Sequence, residues 1–313
     1  MNSEKQISQK QRYLGCMLGL ACGDAVGTTV EFRARGTFPE VTDMTGGGPF
    51  ALKKGEWTDD TSMALCLAHS LLARKGFDAV DQMNRYCNWM NYGYMSCNGT
   101  CFDIGTTVQR ALNQYQITGN PLAGSADPFS AGNGALMRLA PVPMYYLSSL
   151  GDTLLFSAES SRTTHAAPEA IDCAKLFGTQ LRAALMGETK EKVLFDAGYA
   201  PDTDKVRTIA QGHYREKSDA EIVGSGYVVA SLEAALWCFD TTDSYEACVL
   251  KAVNLGDDAD TTAAIAGQLA GAYYGVEAIP GKWLESLAMK EEIIALAEAL
   301  FVHRNGADAA SAD

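Results

Sequence analysis

Two acidic clusters lie far apart in this 313-residue chain: Thr58-Asp59-Asp60-Thr61 and Asp257-Asp258-Ala259-Asp260-Thr261-Thr262. Each precedes an apolar stretch of helical period, so each opens a helix. An Asp or Thr at a helix entrance caps free backbone N–H groups, which suffices to explain either cluster alone. Together they offer more carboxylate and hydroxyl oxygen than two caps need. Hard divalent cations such as Mg2+ and Mn2+ prefer oxygen ligands, so a fold that joins the clusters could hold one or two of them. Two adjacent ions would bridge a water and lower its pKa.

Other residues offer weaker chemistry. The loop Ser130-Ala131-Gly132-Asn133-Gly134-Ala135-Leu136-Met137-Arg138 leads into an apolar stretch. Its small residues leave backbone N–H groups open to an anion, and a helix start favours phosphate, although an ordinary turn uses the same residues. His165, one of four histidines, stands in Thr163-Thr164-His165-Ala166-Ala167-Pro168 just before another helix. It could donate a hydrogen bond or stack on a sugar or base; with no second His nearby, zinc is disfavoured. Asp103, in Phe102-Asp103-Ile104-Gly105, reads as an N-cap or as a third acidic arm.

The elements that must position these residues read as helices. Between Arg12 and Val30 apolar residues recur at helical intervals, with Gly15, Gly19, Gly23 and Gly27 four apart. Glycine costs about 1 kcal/mol against alanine in a helix, so such a row implies close approach of another segment. Gly267, Gly271 and Gly275 form a second row after the acidic cluster at 257–262. Further helices are expected at 62–74, 78–93, 103–116, 136–149, 152–162, 167–187, 204–215, 226–239, 243–254, 261–274 and 284–303. Neither alternating strands nor strand-helix-strand units stand out, so the expectation is all-α. No repeat or linker divides the chain. One domain over 12–304 is expected, with 1–11 and 305–313 as flexible ends.

Composition narrows the class. With 25 Lys+Arg against 38 Asp+Glu the net charge is −13, and no basic run longer than Lys53-Lys54 exists to grip a phosphate backbone, which argues against a nucleic-acid partner. A hydrophobic content of 47% can bury a sizeable core. Nine scattered cysteines suggest reduced, cytoplasmic usage. Neither a signal-peptide core nor about 18 uninterrupted apolar residues stands out, so no membrane span is expected. The acidic balance suits a monomer.

Taken in order, the motifs resemble the ADP-ribosylglycohydrolase family, and within it the bacterial dinitrogenase-reductase-activating branch. The resemblance runs from about Tyr13 to Leu284. It is carried by Gly23-Asp24-Ala25-Val26-Gly27 with Glu31-Phe32, by Gly55-Glu56-Trp57-Thr58-Asp59-Asp60-Thr61, by Asp103-Ile104-Gly105 and by Gly132 through Arg138. Thr164-His165, Ser225-Gly226-Tyr227-Val228 and Asn254 through Gly275 complete it.

What the resemblance implies is an all-α orthogonal helical bundle with a central cleft holding two Mg2+ or Mn2+ ions. The ligands would be Thr58, Asp59, Asp60, Asp258, Asp260 and Thr261. Gly132, Asn133, Gly134 and Ala135 would hold the diphosphate and ribose of ADP-ribose, with His165 and Tyr227 flanking the nucleotide. Catalysis would rest on Asp60, on Asp103 facing the reacting ribose or departing side chain, and on Glu31 on a mobile flap beside the metals. The implied activity is hydrolytic removal of ADP-ribose from protein side chains, arginine foremost. Serine, a nucleic-acid end or O-acetyl-ADP-ribose are alternative carriers, and an immunity-type protein that blocks an ADP-ribosyltransferase is a different class. An unrelated Mg2+ phosphohydrolase would instead release AMP. Ala167 departs from the pattern, since many close relatives carry a second His there.

Overall fold

The computed structural model describes residues 6–310. Within them the chain forms fourteen α-helices: α1 (Gln9–Gly27), α2 (Asp59–Arg74), α3 (Ala79–Tyr92), α4 (Thr106–Thr118), α5 (Pro141–Tyr145), α6 (Leu150–Arg162) and α7 (Pro168–Leu185), followed by α8 (Lys190–Phe195), α9 (Asp204–Ala210), α10 (Val228–Asp240), α11 (Tyr245–Val253), α12 (Ala259–Tyr274), α13 (Gly281–Ser286) and α14 (Lys290–Ala310). No β-sheet forms among the described residues; pairing is limited to isolated bridges such as Gly132 with Tyr227 and Ser125 with His165. The all-α expectation holds. Helix α1 starts earlier than the apolar period suggests because Ser8 and Gln11 close a capping box at its N-terminus. Helix α14 runs to Ala310, past the expected end of the domain at 304, while residues 311–313 lie outside the described part.

The two glycine rows meet each other. A Cβ on Gly15 would lie 2.2 Å from the Gly271 carbonyl oxygen, one on Gly19 2.4 Å from that of Gly267, and one on Gly23 2.2 Å from that of Ala263. At the far end, a Cβ on Gly27 would lie 2.4 Å from the Asp260 Cα. Helices α1 and α12 therefore run antiparallel, backbone against backbone, through the centre of the core. The segment Gln9–Val30 is long and apolar enough to cross a membrane by length and composition, yet an 18-residue stretch of it is 89% buried inside the protein against its neighbours.

Three helices expected from sequence differ in the structure; that at 204–215 stops at Ala210, ahead of Gly212 at a φ of 78°. Over 136–149 only Pro141–Tyr145 is helical, because Pro141 and Pro143 carry no N–H to donate within a helix. Gln268 of α12 supplies the missing partners: its Nε2 donates to the carbonyls of Leu136 and Met137, at 3.1 and 2.9 Å, and its Oε1 accepts from the Ala140 N–H at 2.9 Å. Gln268→Leu should leave the Ala140 N–H and the Met137 carbonyl buried and unpaired and cost about 3 kcal/mol, read as a lower denaturant midpoint. The expected helix 284–303 is broken between Ser286 and Lys290. There the Ala288 N–H donates to Gly55 O and Trp57 Nε1 donates to Ala288 O, which anchors the loop leading into α2. The nine cysteines are all free, and seven of them are buried.

Candidate active site

Helix α2 begins at Asp59, but its N-cap Thr58 makes no capping bond with its own side chain. The cap comes from α1. Asp24, fully buried, accepts from Thr58 N–H at 2.9 Å and Thr58 Oγ1 at 3.0 Å with one oxygen. Its other oxygen accepts from Thr61 N–H at 3.1 Å and Thr61 Oγ1 at 2.6 Å. This residue was not assigned a role from sequence. A signal for it existed: Asp24 is the only charged residue between Arg12 and Glu31.

Helix α12 brings the second acidic cluster against the first. One oxygen from each of Asp24, Asp60 and Asp260 lies within 4.8 Å of the others, and the same holds for Glu31, Asp103 and Asp260. Asp260 thus belongs to two carboxylate groups at once. Thr261 Oγ1 donates to Asp60 Oδ1 at 3.1 Å, and Thr58 Oγ1 lies 3.3 Å from Asp260 Oδ2. Asp60 Oδ2 and Asp260 Oδ1 are buried with no hydrogen-bond partner. Unpaired buried carboxylate oxygens are costly, and a cation is the partner such a donor set fits. These clusters can hold a metal ion.

Crowding governs ionisation here. Burial first, then the charges of Asp260 and Asp103, pushes the Glu31 carboxyl up to about 12. Burial, with Asp24 and Asp258 adding, raises Asp103 to about 7. For Asp24 burial raises the value to about 6 against its four accepted hydrogen bonds, and Asp59, Asp60 and Asp260 are pushed well above the carboxylate range by burial and one another. Unfolded aspartates ionise near 4, whereas folded Asp24 and Asp103 keep protons to about 6 and about 7. The folded state then binds more protons than the unfolded one across that window, and stability falls as pH rises through it. In EDTA the thermal midpoint should accordingly be lower at about pH 8 than at about pH 5.

A cavity of about 440 Å³ opens above these groups, lined by Glu31, Asp59, Asp103, Gly132, Asn133, Gly134, His165, Asp258, Asp260 and Thr261 among others. Thr58 and Asp60 lie beneath it, fully buried. Three lining or rim residues that are not glycine have positive φ: Phe32 at 60°, Asp103 at 57° and Asp257 at 61°. Each costs about 1 kcal/mol. The Phe32 conformation is held by reciprocal backbone bonds, Phe32 N–H to Asp257 O at 2.8 Å and Asp257 N–H to Arg33 O at 2.7 Å, which tie the Glu31 segment to the entrance of α12.

The glycine loop is placed by its neighbours. Asn133 N–H donates to Gly226 O and Val228 N–H to Ala131 O, while Asn133 Nδ2 donates to Asp258 Oδ2 at 2.7 Å and to Ser231 Oγ at 3.1 Å. Gly132 and Gly134 make room for a ring: a Cβ on Gly134 would lie 2.7 Å from His165 Cε1, and one on Gly132 3.2 Å from His165 Nε2. Two further residues lie at the edge of this cavity's surroundings, which continue past Thr107, Gly132 and Gly226 into a second cavity. Ala135 is packed in the core, and Tyr227 lines a neighbouring cavity of about 530 Å³ with Phe129, Glu169 and Lys205. Its hydroxyl donates to Glu169 and accepts from Lys205 Nζ at 2.8 Å.

A family model described as ADP-ribosylglycohydrolase matches residues 5–310. The chain is 46% identical over 294 residues to ADP-ribosylarginine hydrolase Tri1 of Pseudomonas putida (strain GB-1), spanning 93% of this chain and 78% of that protein. It is 34% identical over 292 residues to the ADP-ribosyl-dinitrogen reductase glycohydrolase of Rhodospirillum rubrum, spanning 91% and 93%. A solved structure of an ADP-ribosylglycohydrolase-related protein complex aligns with a TM-score of 0.83 at 45% identity, over 94% of this chain and 98% of that one. Fold, cleft and kinship agree, and the chain belongs to the ADP-ribosylglycohydrolase family.

Proposed function

We propose that this protein hydrolyses the N-glycosidic bond joining ADP-ribose to arginine side chains of proteins, releasing free ADP-ribose and restoring the guanidinium. The observation that carries the reading is the pair of carboxylate groups sharing Asp260, with Asp60 Oδ2 and Asp260 Oδ1 buried and unpartnered at the floor of a cleft large enough for a nucleotide. Kinship with an ADP-ribosylarginine hydrolase names the acceptor.

Two Mg2+ or Mn2+ ions would be held by Thr58, Asp59, Asp60, Asp258, Asp260 and Thr261, with Glu31 beside them. Such ions supply Lewis acidity, orienting vicinal hydroxyls and lowering the pKa of water. The chain's own residues do the rest. Gly132, Asn133 and Gly134 receive the diphosphate and ribose, and the Asn133–Asp258 bond keeps that loop in register with the carboxylates. Asp103 faces the cavity, and to it we assign protonation of the ribose ring oxygen or of the departing nitrogen. His165 bounds the nucleotide beside the glycine loop, and Tyr227 bounds it where the adjoining cavity meets Gly132 and Gly226.

The test is incubation of an arginine-ADP-ribosylated protein with the enzyme and Mg2+ or Mn2+, with and without EDTA, reading the product by mass. Free ADP-ribose, formed only with metal, is expected; AMP would mean that the diphosphate is cut instead. Adding Mn2+ to EDTA-treated, desalted protein should also raise the thermal midpoint, because the ion binds the folded state alone.

A further inference from the structure

Arg138 is fully buried and forms no ion pair with a carboxylate among the described residues. Its guanidinium lies over the Tyr86 ring at 4.8 Å, and its Nη2 donates to Thr164 Oγ1 at 2.7 Å, with Ser160 O and Thr163 Oγ1 at 3.2 and 3.3 Å. Thr164 Oγ1 in turn lies 2.8 Å from His165 Nδ1, and neither residue reaches solvent on that side.

The inventory of protons decides the direction of this chain. Arginine has donors only, so the Thr164 oxygen accepts from it. The single hydroxyl hydrogen then needs an acceptor, and among the described residues His165 Nδ1 is the one within reach. An Nδ1–H would leave the buried hydroxyl with nowhere to donate. Nδ1 therefore carries no hydrogen, and a neutral imidazole carries it on Nε2, beside the glycine loop. No side chain or carbonyl of the described residues bonds Nε2, and the ring lines the cavity. Burial, reinforced by the charge of Arg138, lowers the His165 pKa to about 3, so the ring stays neutral.

We infer that Arg138 and Thr164 are positioning residues that lock His165 in the Nε2–H tautomer, making it a fixed hydrogen-bond donor to an oxygen of the nucleotide held by the glycine loop. The inference rests on the reading of this cavity as the ADP-ribose site only for the identity of the ligand; the tautomer is a property of the free protein.

Long-range 15N–1H correlation spectra of the full chain report the tautomer directly. With four histidines, His165→Gln assigns the signal. The wild-type ring should show a pyridine-like Nδ1 and a pyrrole-like Nε2 at neutral pH. Thr164→Val should lose that pattern and weaken ADP-ribose binding roughly tenfold, raising KM with little change in kcat, and Thr164→Ser should restore both. A pyrrole-like Nδ1 in the wild type overturns the proposal without any variant, as does an unchanged tautomer in Thr164→Val. The expected spectra with no ADP-ribose binding by the wild type would leave the relay standing and sink the proposed ligand.

Discussion

Asp260→Asn is expected to lower kcat by roughly 10^3-fold or more, equivalent to about 4 kcal/mol of barrier, while the folded protein survives. Asp260 is the one residue common to both carboxylate groups, and its Oδ1 is buried without a partner. An amide keeps the shape but puts an N–H or a neutral oxygen where a cation needs a charged ligand. The sign of the stability change separates this from a folding defect. Burial and the neighbouring Asp258 and Asp103 hold the Asp260 carboxyl well above its ordinary range, so removing its charge should relieve repulsion. In EDTA at about pH 8 the variant should melt at or above the wild-type temperature. Turnover within tenfold of wild type would remove Asp260 from the reaction. Asp24→Asn should behave differently. An amide nitrogen cannot accept the two bonds from Thr61, so the start of α2 should loosen and stability fall even without metal.

Gly23→Val is expected to destabilise the fold by about 3 kcal/mol or more, the upper range of overpacking. The Cβ of that residue would stand 2.2 Å from the Ala263 carbonyl oxygen, and the obstacle is backbone, which has no rotamer to change. The helices would have to separate, losing contact along the seam that joins α1 to α12. Gly281→Ala is the matched control: a Cβ there meets nothing within 4 Å, and its effect should stay within about 0.5 kcal/mol. Guanidinium unfolding of the two variants beside wild type measures the contrast. Equal midpoints would show that the helices do not touch as described.

Much of this architecture could be read from residue spacing, and the exceptions share one cause. The glycine rows announced a close approach because repeated glycine in a helix has no local benefit. The acidic clusters at helix starts located the cleft for the same reason, since they exceed what local capping needs. What escaped was long-range. Asp24 caps a helix that begins far along the chain, and no local pattern reveals a cap delivered from another helix. Gln268 replaces helical bonds for 136–140, a segment whose apolar period suggested a helix but which runs into Pro141 and Pro143. The glycines at 132 and 134 were explained by exposed N–H groups; in the structure they also seat the His165 ring. The bonds that fix Tyr227, to Glu169 and Lys205 on two other helices, are likewise long-range and left no local mark in the sequence.

The seam between α1 and α12 ends where Gly27 touches the Asp260 backbone, one turn from Asp24. Nothing soft separates the two aspartates. Their spacing is dimensioned by main chain on main chain, much as a machined joint leaves no gasket to compress. Leucines and methionines elsewhere in the core can be exchanged, and the loss will be met by side chains shifting in their own layers. Variants of the outer core should therefore melt earlier long before their carboxylates drift apart, so that tolerance to mutation and accuracy of the site are supplied by different parts of one molecule.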